Sequence, residues 1–225
     1  SAASDVYKRQ GLTRHVVDHA LTRCESDLKL FDNFVDKGLI DRLKGMLAQP
    51  FARVSYREAI HILEDSGKEF TFPVAFGVDL QTEHERFLAE EHFRRPVIVY
   101  DYPKEIKAFY MRGNDDGETV AAMDVLVPRI GELIGGSQRE ERLDKLLAKY
   151  LNLAGKSFIY KMMRKKNITL NGKKCDGSEH LTEGDEIKLF LAEETIEKFS
   201  EVKIQKVQKK KLDIVYEDEY ILLIN

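Results

Sequence analysis

Apolar residues in the N-terminal part of the chain recur with a helical period: Val16, Leu21, Leu28, Phe31, Phe34 and Val35, then Leu39, Ile40, Leu43 and Leu47. Leu12 to Leu47 is accordingly predicted to be mostly helical, punctuated at Gly38 and Gly45. Tyr56 to Leu63 reads as a further short helix, with Ser55 placed to cap it. The pattern then shortens to strands at Pro96–Tyr100, Ala108–Arg112 and Val120–Val127. The turn-forming run Gly113-Asn114-Asp115-Asp116-Gly117 joins the last two as a hairpin. Helices followed by hairpin-linked strands predict an α+β domain with an antiparallel sheet.

Helical spacing resumes at Leu143, Leu146, Leu147, Tyr150 and Leu151. Ser157 is expected to cap a second helix holding Phe158, Ile159, Met162 and Met163. Ile168 and Leu170 alternate into Asn171-Gly172, a strong short hairpin signal. Glu183-Gly184-Asp185 turns into a strand whose Ile187, Leu189 and Leu191 share a face. A second, small α+β module is predicted over residues 142–192. Residues 193–211 are expected to be a charged linker.

Composition adds little until it is resolved along the chain. The 225 residues carry a net charge of −3, which says nothing about partners. Between Lys145 and Cys175, however, there are nine Lys/Arg and no acid, and between Asp176 and Glu201 nine acids against two lysines. Such a basic face is suited to phosphate, although a solvated Lys-rich helix has the same composition. Cys24 and Cys175 stand far apart without a CxxC partner, giving no sign of disulfides and making a cytosolic setting the expectation. No apolar run approaches the ~20 residues that span a bilayer. Ser1–Gln10 (SAASDVYKRQ) has neither an initiating Met nor periodicity and reads as an adaptor-like leader outside the fold, while Ile224-Asn225 reads as the middle of a strand.

Candidate chemistry centres on Asp124 and Glu132, which flank the bend Val127-Pro128-Arg129-Ile130-Gly131. Strands turning back there bring two carboxylates together, a set suited to Mg²⁺ with phosphate oxygens and water as its other ligands. Gly135-Gly136 permits close backbone approach to a ligand. Arg139 offers a planar fork for a carbonyl or carboxylate. A surface hairpin with ordinary charges remains the alternative. His15 and His19 lie four apart on a helix but lack the third ligand of a metal motif. His84 reads as a packing or substrate-loop residue.

Four runs resemble asparaginyl-tRNA synthetase: Phe51–Tyr56 (FARVSY), Asp79–Arg86 (DLQTEHER), Asp101–Arg112 (DYPKEIKAFYMR) and Gly131–Glu140 (GELIGGSQRE). The resemblance covers about residues 11–144 and implies part of a class II synthetase catalytic core, an antiparallel sheet with flanking helices. It implies ATP and Mg²⁺ at Asp124, Glu132, Gly135 and Gly136, asparagine at Arg139, and tRNA as partner. The family's anticodon-binding barrel, its dimer-forming first motif and its two ATP-gripping arginines have no counterpart here. Phe76 stands where the family has Trp, and Arg129 where it has Gly. Because adenylyl transfer rests on positioned positive charge, this chain is expected to be a non-catalytic fragment of an asparagine–tRNA ligase.

From Arg142 onward the chain is similar to the RNA-binding domain of ribosomal-protein-S-four type, through Arg142–Leu147 (RLDKLL), Lys156–Lys161 (KSFIYK) and Ile168–Lys174 (ITLNGKK). That resemblance implies RNA contacts, to tRNA or rRNA, from Lys156, Ser157, Lys161, Arg164, Lys165, Lys166, Lys173 and Lys174. Residues 212–225 resemble the entry into the catalytic domain of a large-subunit rRNA pseudouridine synthase, whose catalytic Asp lies in a later motif. Glu140–Asp144 fits both resemblances with no linker between them, so a join through shared sequence is expected. The alternative is the RNA-binding part of an rRNA pseudouridine synthase, or a non-catalytic RNA-binding adaptor.

Overall fold

The computed structural model describes residues 2–201, 214–217 and 222–224. The chain opens with three helices, α1 (Ala2–Arg23), α2 (Glu25–Phe34) and α3 (Leu39–Ala48). Gly38, at φ +84°, supplies the left-handed turn into α3. Gly45 does not interrupt that helix. Arg14 of α1 donates to the carbonyls of Leu47 (2.7 Å) and Gln49 (2.9 Å), satisfying acceptors left open where α3 ends. Residues 1–10, set aside on their sequence, are from Ala2 onward part of α1. The Phe51 N–H donates to Gln10 Oε1.

A four-stranded sheet follows in the order β1 (Ala52–Ser55), β2 (Val97–Pro103), β3 (Thr119–Val127), β4 (Gly131–Ser137). The expected antiparallel sheet is mixed: β2–β3 and β3–β4 are antiparallel, but β1 runs parallel to β2, with Ala52 opposite Val97. Between β1 and β2 run α4 (Tyr56–Asp65), α5 (Thr82–Arg86) and a π-helical turn, Phe87–His92. Ser55 does cap α4: its hydroxyl accepts from the Glu58 N–H, and Glu58 accepts from the Ser55 N–H. Tyr56, Ala59, Ile60 and Leu63 form the buried stripe of α4.

All nine residues of β3 are buried because both faces of the sheet are covered. On one side Val97, Val99, Tyr102 and Leu126 pack with Tyr56, Leu63 and Leu88. On the other, Ile98, Met123, Val125 and Val127 pack with Phe51 and Met46. The strand predicted at Ala108–Arg112 is not one. A 3₁₀ turn at Lys104–Ile106 lifts the chain off β2, and a further turn bonds the Met111 N–H to Ala108 O. Ile106 and Met111 return to the core, leaving Phe109 and Tyr110 exposed.

A second α+β unit comprises α6 (Leu143–Tyr150), α7 (Lys156–Arg164), β5 (Ile168–Leu170), β6 (Lys173–Lys174), β7 (Ile187–Leu189) and α8 (Glu193–Phe199). The antiparallel order is β6-β5-β7 around a core of Leu143, Leu147, Leu151, Ile159, Met163, Ile168 and Cys175. Asn171 (φ +52°) and Gly172 (φ +71°) form the predicted two-residue turn. Two expectations change here. Gly155, not Ser157, precedes α7, and Ser157 lies within its first turn. Residues 193–199 are not linker: α8 brings Phe199 against Phe158, with ring centroids 4.5 Å apart. Residues 202–211 of the expected linker lie outside the described residues. The tail contributes an antiparallel pair, β8 (Ile214–Glu217) and β9 (Leu222–Ile224).

The two units meet without a spacer. The Glu140 N–H donates to Tyr110 O, Leu181 N–H to Glu141 O and Leu143 N–H to Glu179 O, so residues 140–143 bond to a segment of each unit. The Glu140 side chain is fully buried. It accepts from Arg142 Nε (2.6 Å), Lys149 Nζ (3.0 Å) and the Gly113 N–H (3.3 Å). Burial opposes its ionisation, but these donors outweigh it and hold the carboxyl at about 2. Arg112 pairs with Glu141 at 2.9 Å across the same junction.

Candidate active site

Asp124 and Glu132 share a face of the sheet because β4 contains a bulge. Asp124 lies opposite Gly135 and Val125 opposite Ile134, but Leu126 lies opposite Glu132. Leu133 is thus the extra residue, and it shifts the inward-and-outward alternation by one. In a regular ladder Leu133 would share the face of Asp124; the bulge puts Glu132 there. A Cβ on Gly135 would overlap Glu132 Oε1 and stand 3.1 Å from Asp124 Oδ1. The missing side chain is what lets both carboxylates converge over the strand.

Sequence reasoning missed most of the surroundings. Lys107 Nζ lies 3.1 Å from Asp124 Oδ2 and 3.9 Å from the centroid of the buried Tyr102 ring. Asp79 and Glu85 complete the acidic group. Burial, then Glu132, Asp124 and Asp79, push the Glu85 carboxyl up to about 7. Asp79 is raised by burial and by Asp124, with Lys107 pulling the other way. Glu132 is raised by burial and Asp124, again against Lys107. These residues come from three separate motifs, and only the crossing of their elements brings them together. Two hydrogen bonds fix the acids: the Tyr56 hydroxyl donates to Val78 O beside Asp79, and the Gln81 N–H donates to His84 Nδ1 ahead of Glu85. His84 is therefore a buried packing residue.

Four carboxylates against one lysine favour a cation. No set of three or more His, Cys, Asp or Glu side chains is arranged to hold a metal among the described residues. The Asp124–Glu132 pair instead fits an ion that takes one or two carboxylates and completes its shell with phosphate and water. Gly136 carries a different neighbour: the Arg9 guanidinium lies against it, with Nη1 3.4 Å from Gly135 O. Arg139, beyond the end of β4, donates to Ser137 Oγ and lies 4.7 Å from the centroid of the Tyr110 ring. His15 and His19 are exposed, with ring centroids 6.2 Å apart.

Lys156, Ser157, Lys161, Arg164, Lys165, Lys166, Lys173 and Lys174 are all exposed, and their cations form no ion pair among the described residues. They do not form one point. Lys156 and Ser157 start α7, about 13 Å of helix rise from Lys165 and Lys166. Lys173 and Lys174 lie on β6. No helix among the described residues is long and apolar enough to cross a membrane.

The family model of "tRNA synthetases class II (D, K and N)" matches residues 6–167, through the junction and past α7. An asparagine–tRNA ligase of Nitratidesulfovibrio vulgaris (strain DP4) is 68% identical over 145 residues, which are 64% of this chain and 32% of that protein. One of Clostridium botulinum (strain Eklund 17B / Type B) is 53% identical over 156 residues, covering 69% of this chain and 34% of that one. The crystal structure of asparaginyl-tRNA synthetase from Pyrococcus horikoshii complexed with asparaginyl-adenylate is 39% identical with a TM-score of 0.58, over 68% of this chain and 33% of that chain. The chain spans about a third of the length of the curated relatives it matches. With a family model matched over well more than half its length, the chain belongs to the class II tRNA synthetases of the D, K and N family.

Proposed function

We propose that this chain carries the ATP- and asparagine-facing part of an asparagine–tRNA ligase. The observation that carries the reading is the convergence of Asp124 and Glu132 over Gly135, made by the bulge at Leu133 and balanced by Lys107. Asp124 and Glu132 are the residues that would hold Mg²⁺, which when bound supplies charge neutralisation to a nucleotide's phosphates. Gly135 gives the backbone access, whereas Gly136, opposite Met123, turns to the other face under Arg9; Arg139 is the fork for the amino-acid side chain. The similarity to a synthetase solved with asparaginyl-adenylate supports asparagine as the amino acid. Without the family's two phosphate-gripping arginines, the 225 residues by themselves bind but do not ligate.

Calorimetric titration with Mg·ATP tests this. Asp124→Asn and Glu132→Gln are each expected to weaken binding at least 10-fold. Equal affinity in wild type and both variants rejects the site. Asparagine-dependent ATP–pyrophosphate exchange is expected to be absent, and a clear signal overturns the non-catalytic reading.

A second reading concerns residues 142–192 and is favoured by the unpaired cations of α7 and β6. We propose that this unit is an RNA-binding module of S-four type contacting phosphates of tRNA or rRNA. The resemblance of the tail to a pseudouridine synthase makes rRNA the alternative partner. Replacing Arg164, Lys165 and Lys166 with Ala should weaken RNA binding and flatten its salt dependence. Unchanged affinity rejects this face.

A further inference from the structure

Asp124 presents its two carboxylate oxygens to different neighbours. Oδ2 lies 3.1 Å from Lys107 Nζ. Oδ1 turns toward Glu132: a Cβ on Gly135 would stand 3.1 Å from it and would overlap Glu132 Oε1. Lys107 is brought to this point by the fold. The 3₁₀ turn Lys104–Ile106 carries the chain off β2, and Ile106 packs back on the core immediately before Lys107. The Lys107 ammonium lies 3.9 Å from the centroid of the Tyr102 ring, which is buried. The side chains of Lys107 and Asp124 are only 19% and 12% exposed, so the pair is weakly screened and the ring sets the direction from which the cation approaches. The charge of Lys107 also acts on Asp79 and Glu132, yet among the described residues its one ion pair is with Asp124.

We propose that Lys107, seated on Tyr102, is a positioning residue that occupies Asp124 Oδ2, leaves Oδ1 as the one oxygen facing a metal, and so makes the site prefer Mg²⁺ to Ca²⁺. The proposal rests on the reading of Asp124 and Glu132 as the Mg²⁺-holding pair and deepens it. Mg²⁺ demands a near-octahedral shell, keeps several waters and needs only one or two carboxylates. Ca²⁺ takes up to about eight oxygens and readily uses both oxygens of one carboxylate. With Oδ2 held by an ammonium, Asp124 serves the first ion fully and the second only in part. The same ammonium repels either ion by an equal charge, which lowers affinity without choosing between them. Selectivity is therefore the property that separates positioning from charge.

Calorimetric titration of the full chain with Mg·ATP and with Ca·ATP measures it. Wild type is expected to bind Mg·ATP the more tightly. Lys107→Met keeps an apolar stem against the Tyr102 ring and removes the ammonium. It should shift the ratio of Mg·ATP to Ca·ATP affinity toward Ca²⁺ by roughly 10-fold, the scale of one charge-assisted contact. Lys107→Ala removes stem and charge together and should shift the ratio in the same direction, so a packing defect special to methionine does not decide the result. An equal change in the two affinities, or a wild type that binds Ca·ATP as tightly as Mg·ATP, overturns the positioning role and leaves the Mg²⁺ reading standing. Mg·ATP affinity unchanged in both Asp124→Asn and Glu132→Gln rejects the Mg²⁺ reading and this proposal together.

Discussion

Glu140 is the most informative residue to perturb, because its carboxylate joins the two units and its environment sets a magnitude. The side chain is fully buried, with donors from Arg142, Lys149 and the Gly113 N–H. A carboxyl moved from 4.5 to about 2 on folding contributes about 3 kcal/mol at neutral pH. Glu140→Gln keeps the volume but removes the charge that two cations face, so a loss of about 3 kcal/mol is expected. That agrees with the cost of breaking a buried ion pair from one side, at its lower end because Arg142 and Lys149 are partly solvated. The pH dependence gives a second, independent readout. Above pH 4.5 the carboxyl is ionised in both folded and unfolded chains and its contribution is complete. As pH falls from 4.5 through about 2, the unfolded chain takes up the proton first and the contribution disappears. Urea denaturation of wild type and variant at pH 7, 5 and 3 should therefore show a gap that is largest at pH 7 and narrows at pH 3. A gap below about 0.5 kcal/mol at pH 7, or one that stays constant down to pH 3, would refute the reasoning.

Glu85 gives the opposite sign: raised to about 7 by burial and three carboxylates, it favours the folded state when protonated, so wild-type stability is lost as pH rises from 4.5 through 7. Glu85→Gln should lack that loss, and its Tm should exceed wild type by more at pH 8 than at pH 5; a difference independent of pH counts against the acidic group. Mg²⁺ should also bind more tightly at pH 8 than at pH 6, with proton release measurable by calorimetry in buffers of different ionisation enthalpy. Gly135→Ala puts a methyl where Glu132 Oε1 lies, so it should weaken Mg·ATP binding at least 10-fold while unfolding as cooperatively as wild type; unchanged binding would mean the cradle is not used. Gly172→Ala at φ +71° should cost about 1 kcal/mol in urea denaturation, and no cost would mean the turn is not type I′.

Periodicity exposed those elements whose buried faces are regular. The stripe of α4, its Ser55 cap, the Asn171-Gly172 turn and the helices of the second unit were legible because each is decided within a few residues. β1 was hidden because four residues are too few to show alternation. The apolar run at Ala108–Arg112 misled because its Phe and Tyr face solvent. The candidate site was half legible. Asp124 and Glu132 are eight apart on either side of a visible bend, but nothing local says that Leu133 bulges, and without the bulge Glu132 would face the other way. Lys107, Asp79 and Glu85 were unreadable as a group because they stand after β2, before α5 and on α5, stretches that only the fold brings together.

The junction is where sequence and structure differ most in meaning. As sequence, Glu140–Asp144 reads as residues shared between two resemblances, with no spacer. In the fold the same residues are paired on both sides, and the Glu140 carboxylate is satisfied only when residues 111–113 and α6 are both in place. Separating the units would leave a buried carboxylate with one donor set missing on one side and two cations without their acceptor on the other. The share of Glu140's stabilisation that comes from Lys149 and the Gly113 N–H thus couples the units, and unfolding one should lower the stability of the other. A spacer inserted between Glu140 and Leu143 should remove the coupling, splitting one unfolding transition into two.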